Sequence, residues 1–138
     1  MGCNLAQWAD AKGLDQELER TRRKVEAGAG FVVTPPVYDL NLFRAFLDRS
    51  RDLGVPVIAT VFLLKSVGSA RYIATTEPSA GISEEMIRRI RKASDRENEC
   101  VRIAGETTAA LKELAQGVRL VTLGWEHRLP AILDYAGL

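Results

Sequence analysis

The chain has 138 residues, of which 46% are hydrophobic and 27% are charged. This length allows one domain with a substantial hydrophobic core, which we expect over residues 1–138. Its 19 basic and 18 acidic residues nearly balance, so the sequence predicts no strong attraction to nucleic acid or to a membrane surface. No apolar run approaches the roughly 20 residues of a membrane helix, and we expect a cytoplasmic protein.

The first part of the chain is predicted to form a strand, a helix and a second strand. Residues 1–5 can form a short strand. Asp15 is the predicted N-cap of the following helix, because its carboxylate can accept hydrogen bonds from the first unpaired amides. That helix should end near Gly28, which can adopt the positive φ of a tight turn. The continuous apolar run at 31–33 then predicts a buried parallel strand that ends at Thr34.

The rest of the chain continues this alternation of helices and strands. Asp39 and Ser83 are predicted N-caps of two helices. The β-branched run VPVIATVFLL at 55–64 is the strongest strand signal, and a last strand is predicted at 118–123 before a final helix at 125–138. The order (β)αβαβααβα predicts an α/β fold of parallel (β/α) units. Its four strands would make about half of a TIM-type (β/α)₈ barrel, which has about 250 residues.

Polar and aromatic residues follow several of the predicted strands. In parallel sheets and barrels, functional groups lie just past the carboxyl ends of the strands. Thr34, Pro35 and Pro36 mark such an edge, where the prolines can shape a pocket or only stiffen a loop. His127, the sole histidine, follows the last strand, as acid/base residues do, although surface and packing roles are more common for a lone histidine. Trp125 beside it can stack on a flat ligand or pack at the rim.

Basic residues cluster on the first predicted helix. Arg20, Arg23 and Lys24 could hold phosphate oxygens, or they could form a solvated face that pairs with Glu17 and Glu19 at helical spacing. The pattern alone leaves both interpretations open. The chain has no GxGxxG, GxxxxGK[ST], HExxH or CxxC motif, so the sequence supports neither nucleotide hydrolysis nor the common metal sites.

Three blocks of sequence together resemble the methylenetetrahydrofolate reductase family, whose members are flavin-dependent (β/α)₈ barrels. The blocks are RRKVEAGAGFVVTPPVYD, VPVIATVFLLKSVGSARYI and VRLVTLGWEHRLPAIL, in the order that the family has. The residues that match the family pattern around the first block are Lys24, Ala27, Gly28, Ala29, Thr34, Tyr38 and Asp39. The resemblance covers the C-terminal half of the barrel. The acidic residue that acts on the pterin and much of the flavin pocket belong to the other half, which has no counterpart here.

The resemblance implies positions for both a cofactor and a substrate. In the family, the helix before the first long strand holds the phosphates and ribose of FAD. The residues at those positions are Glu17, Arg20, Arg23 and Lys24. The substrate positions fall on Thr34, Pro35 and Ile73. Two of them depart from the family, because a folate-binding glutamine is replaced by Pro35 and a flanking aromatic residue by Ile73, which can pack but not stack.

By resemblance, the activity would be hydride transfer from NAD(P)H through FAD to methylenetetrahydrofolate, a reaction of one-carbon metabolism. The flavin would carry the redox step, but this half contains no identifiable proton donor. The alternatives are a non-catalytic flavin- or folate-binding module, or a fragment that is inactive without the N-terminal half. A half-barrel exposes apolar strand edges. We therefore expect self-association, a partner chain that completes the barrel, or reorganisation into a small open sheet.

Overall fold

The computed structural model describes all 138 residues as a four-stranded sheet with six α-helices. The strands are β1 (Gly2–Asn4), β2 (Phe31–Pro36), β3 (Val57–Phe62) and β4 (Gly117–Val121). The helices are α1 (Ala11–Glu26), α2 (Leu40–Ser50), α3 (Val67–Thr76), α4 (Glu84–Lys92), α5 (Arg96–Leu111) and α6 (Leu129–Tyr135). Every pair of neighbouring strands is parallel, in the order β1-β2-β3-β4. The prediction of successive (β/α) units that make about half of a barrel is confirmed.

Helix α1 begins earlier than predicted. Its N-cap is Asp10, whose Oδ1 accepts a hydrogen bond from the Gly13 amide at 2.7 Å, so the prediction of Asp15 as the cap is wrong. The earlier start places Leu14 inside the helix, one turn before Leu18, and both side chains are buried. Burial of this extra apolar residue favours the longer helix. The predicted N-caps Asp39 and Ser83 are confirmed by hydrogen bonds from the first amides of α2 and α4.

Strand β2 continues past its predicted end and contains two prolines. Its register against β3 shifts between Val33 and Pro36, because a proline has no N–H to donate to the ladder. The Thr34 hydroxyl fastens the shifted segment, since it accepts from the Thr60 amide at 3.2 Å and donates to the Pro35 carbonyl at 2.8 Å. A threonine side chain thus helps a buried strand to accommodate prolines.

The two faces of the sheet differ in burial. Because the strand order follows the chain order, each right-handed crossover packs its helix on the same face. Val32, Ala59 and Val61 lie under the helices, at most 1% exposed, in a core of 24 buried residues. Alternate residues such as Phe31, 38% exposed, lie on the opposite, open face, which corresponds to the interior of a closed barrel. None of the helices combines the length and apolar character that crossing a membrane requires.

Candidate functional site

Two of the residues predicted to hold a cofactor lie against β1, one of the two edge strands of the sheet. Glu17 is only 5% exposed, and its Oε1 accepts a hydrogen bond from the Ala6 amide at 2.9 Å. Lys24 donates from Nζ to the carbonyl oxygen of Asn4 at 3.3 Å. Both side chains are therefore engaged with the backbone at the end of β1.

The two arginines of the predicted set are more exposed. The Arg20 side chain is 64% exposed and pairs with Glu17 at 3.4 Å. The Arg23 side chain is 74% exposed and reaches Glu19 only at 3.9 Å. The Arg23–Glu19 pair is exposed and therefore weak, so the Arg23 guanidinium group can turn to a phosphate, whereas Arg20 would have to leave the buried Glu17 carboxylate. Contact of these four residues with FAD stays a prediction.

The predicted substrate residues lie in well-packed surroundings. Thr34 is 2% exposed, and the space between Thr34, Pro35 and the rings of Trp8 and Phe46 has a volume of about 10 Å³. Such a space holds at most about one water molecule. Ile73 on α3 is partly buried against the core. The structure gives all three predicted residues packing roles, and their contact with a substrate stays a prediction.

A third group of side chains lies past the carboxyl ends of β3 and β4. We call Lys65, Trp125, Glu126 and Arg128 the rim cluster. The Lys65 ammonium group lies 5.4 Å from the centroid of the Trp125 ring, and the Arg128 guanidinium group lies 5.9 Å from it. Lys65 also donates a hydrogen bond to the Leu123 carbonyl. Cations this close to an indole are attracted by its π electrons, so the ring is held at the edge of the sheet.

The loop that carries the rim cluster is tightly fixed. Glu126 accepts hydrogen bonds from the Gly124 amide at 3.0 Å and from the Thr122 hydroxyl at 3.2 Å. These bonds, that of the Gly124 amide foremost, lower the pKa of Glu126, and the charge of Lys65 adds to the effect. Leu123 has a φ of 46° and is 67% exposed. A non-glycine residue in this conformation is strained, and such strain is often found at functional sites.

His127 is exposed beside this loop and has no hydrogen bond or ion pair. A general base is normally oriented by a neighbouring group, so the structure favours a surface role. Trp125 packs partly against the core, which leaves part of its ring accessible. Sequence reasoning missed Lys65, Glu126 and Arg128, although each closely follows a strand end, which is the signal that would have found them.

The open face of the sheet carries one charged strand residue, Arg119 on β4. Its Nε donates a hydrogen bond to the hydroxyl of Thr60 at 3.2 Å, and no acidic side chain pairs with it. Its neighbours across this face include Ile58 and Phe62, which are only partly buried. A guanidinium group without an acidic partner suits a carboxylate or phosphate. No group of His, Cys, Asp and Glu side chains is arranged to hold a metal ion.

Comparison with known proteins relates the whole arrangement to one family. The sequence model described as methylenetetrahydrofolate reductase matches residues 6–137. Among solved structures, the chain is similar to an uncharacterized protein from Clostridium thermocellum that binds two copies of 5-methyl-5,6,7,8-tetrahydrofolic acid. The TM-score is 0.61 at 17% identity over 88% of this chain. This chain spans about half of that structure, 47% of its length. No curated protein matches the sequence.

Proposed function

The chain belongs to the methylenetetrahydrofolate reductase family, and from this premise we propose that it binds a reduced folate at the rim cluster. The observation that carries the proposal is the accessible Trp125 ring beside two cations, Lys65 and Arg128, at the carboxyl ends of β3 and β4. The similar structure from Clostridium thermocellum, which binds a methylated tetrahydrofolate, supports the choice of ligand.

The chemistry of a folate matches this set of side chains. A folate combines a flat pterin, an aromatic linker and a glutamate tail with two carboxylates. The indole of Trp125 offers a surface on which one of the rings can stack. Lys65 can pair with the carboxylates, as can Arg128 in exchange for its long pair with the exposed Glu97 at 3.7 Å, and such charge-assisted hydrogen bonds are stronger than neutral ones. Arg119, on the adjoining open face and without an acidic partner, is a further cation for the tail.

Flavin-dependent reduction is the second candidate function, favoured by the exposed guanidinium groups of Arg20 and Arg23. FAD, when bound, supplies the relay of hydride from NAD(P)H to methylenetetrahydrofolate. In this chain, Arg20 and Arg23 would hold its phosphates, while Lys24 would first have to leave the Asn4 carbonyl. Glu126 does not serve as a proton donor at neutral pH, because its pKa lies below the ordinary value of 4.5. We therefore propose that reduction needs the other half of a barrel.

Titration with 5-methyltetrahydrofolate tests folate binding directly. We expect saturable heat release by calorimetry, and at least a tenfold weaker affinity in Trp125→Leu. The matched control is Trp8→Phe, because Trp8 stacks on Phe46 at 5.5 Å and is not part of the rim cluster, and this variant should bind as the wild type does. The proposal would be overturned by an absence of saturable binding, or by equal affinity in all three proteins.

Visible absorbance after incubation with FAD and desalting tests the second candidate. A retained flavin band that is lost in the double variant Arg20→Gln/Arg23→Gln would support a phosphate site on α1. The control is Arg44→Gln, an exposed cation on α2 whose one hydrogen bond, to Asn41, is long at 3.5 Å. A colourless wild-type protein would leave folate binding as the function of this chain.

A further inference from the structure

Two backbone groups at the carboxyl end of β1, one on Asn4 and one on Ala6 just beyond the strand, point away from the sheet. The Leu5 amide donates to the Val33 carbonyl of β2 at 2.9 Å. In a parallel ladder, the backbone groups of alternate residues point to opposite sides, so the Asn4 carbonyl and the Ala6 amide point outward. Together they form a position for one residue of a further parallel strand, whose N–H would donate to Asn4 and whose carbonyl would accept from Ala6.

Side chains of α1 already occupy this position. Lys24 Nζ donates to the Asn4 carbonyl at 3.3 Å, and Glu17 Oε1 accepts from the Ala6 amide at 2.9 Å. The ammonium group thus takes the place of a strand N–H, and the carboxylate takes the place of a strand carbonyl. We propose that Glu17 and Lys24 form an edge cap, which stands in for a neighbouring strand and blocks pairing at β1.

The burial of Glu17 supports this role. Its side chain is only 7% exposed, and a buried carboxylate is unfavourable unless it is paired and hydrogen-bonded. The Ala6 amide and Arg20 supply those partners. Natural sheets protect their edges with charged side chains, because an unpaired edge accepts strands from other molecules. The cap serves this purpose at the carboxyl end of β1, where the Asn4 carbonyl and the Ala6 amide would bond to a further strand.

The strand that an uncapped β1 would accept is β4 of a second copy. β4 is the other edge of the same parallel sheet. Its Val121 carbonyl accepts from the Leu63 amide at 2.9 Å, so the groups of Val118 and Leu120 point outward, and no side chain bonds to them. Two copies related by a two-fold axis would each place β4 beside the partner's β1, with all strands parallel. Both free edges would be paired at once, which makes a second copy the best-matched occupant.

Removal of the cap tests the proposal through the oligomeric state. We expect the wild-type protein to sediment as a monomer and Glu17→Leu/Lys24→Met to dimerise at a concentration at least tenfold lower. The control is Glu19→Leu/Arg23→Met, which likewise replaces one carboxylate and one cation by apolar side chains, on the exposed face of α1, and should stay monomeric. Equal behaviour of the two double variants would overturn the proposal.

Amide hydrogen exchange identifies the contacts and does not depend on the double variant being stable. In the wild type, we expect the Ala6 amide to exchange at least tenfold more slowly than an unprotected amide, and to lose this protection in Glu17→Ala. Unprotected Ala6 in the wild type would overturn the cap.

In the dimer of the uncapped variant, the Leu120 amide should become protected. A dimer without that protection, or protection of Leu120 in the wild type, would overturn pairing of β1 with β4.

Discussion

The sheet has two edge strands, and the regions around them, which we call the β1 end and the β4 end, differ in what their side chains contact. At the β1 end, Glu17 and Lys24 bond to the outward Ala6 amide and Asn4 carbonyl. At the β4 end, the loop past the strand displays Leu123, 67% exposed with a φ of 46°, and Trp125 beside two cations. Strain of this kind persists only where the surroundings hold it. The difference indicates that the β1 end contributes stability and that the β4 end is available for contact with a ligand.

The largest effect is expected in the core beside the β1 end. Phe46 is 1% exposed, and its ring lies 5.5 Å from Trp8 and 6.0 Å from Phe43. Phe46→Ala should lower the free energy of unfolding by about 3 to 5 kcal/mol, because it leaves a cavity among these rings. Urea denaturation measures this loss. Tyr72→Ala, at a residue that is 67% exposed, should change the free energy of unfolding by less than about 0.5 kcal/mol. Similar losses in both variants would contradict the assignment of Phe46 to the packed core.

A smaller loss of stability is expected where the Thr34 hydroxyl links β2 to β3. Thr34→Val keeps the shape of the side chain but removes the hydrogen bonds to the Thr60 amide and the Pro35 carbonyl. Unfolding should become easier by about 1 to 2 kcal/mol, since each buried bond contributes roughly 1 kcal/mol. Thr76→Val removes a bond of similar length, to the Tyr72 carbonyl, at an exposed helix end. If thermal melting showed the same shift for both, Thr34 would have no special role in the register shift.

At the β4 end, one substitution should stabilise the protein. Leu123→Gly relieves the cost of the left-handed conformation, about 1 to 2 kcal/mol, against the smaller entropic cost of a glycine. We expect a gain of up to about 1 kcal/mol in the free energy of unfolding. Leu42→Gly, on the exposed side of α2, should instead lose about 1 kcal/mol. A loss in both variants would mean that contacts of the Leu123 side chain outweigh its strain.

The smallest effect is a pH dependence of the loop at the β4 end. The pKa of Glu126 is lowered in the folded protein, so the ionised carboxyl contributes stability above its ordinary value of 4.5. That contribution is lost as the pH falls through the lowered pKa. The amide resonance of Gly124, which donates to this carboxylate, should shift over the same range in NMR titrations. In Glu126→Gln the shift should vanish, and its persistence would assign the titration to another group.

Local patterns were sufficient for most elements of the fold. Continuous apolar runs predicted β2 and β3, because buried parallel strands carry apolar residues on both faces, and the segment at 118–123 predicted β4 although Arg119 interrupts its apolar residues. Asp39 and Ser83 were identifiable as caps from their position before an amphipathic segment. The same rule gave the wrong cap for α1, since Asp15 lies within the helix and Asp10 caps it, and the burial of Leu14 favours this earlier start.

The sequence by itself determined the succession of parallel (β/α) units and the family, both of which depend on patterns within short segments. Tertiary structure decided what the charged residues of those segments contact. Glu17 meets an amide 11 residues away, Lys24 a carbonyl 20 residues away, and Lys65 a carbonyl 58 residues away. Those partners come within reach only when helices pack on the sheet and the strands align. The same lysine or glutamate in an isolated helix would remain in water, so its role depends on which backbone groups the fold leaves open beside it.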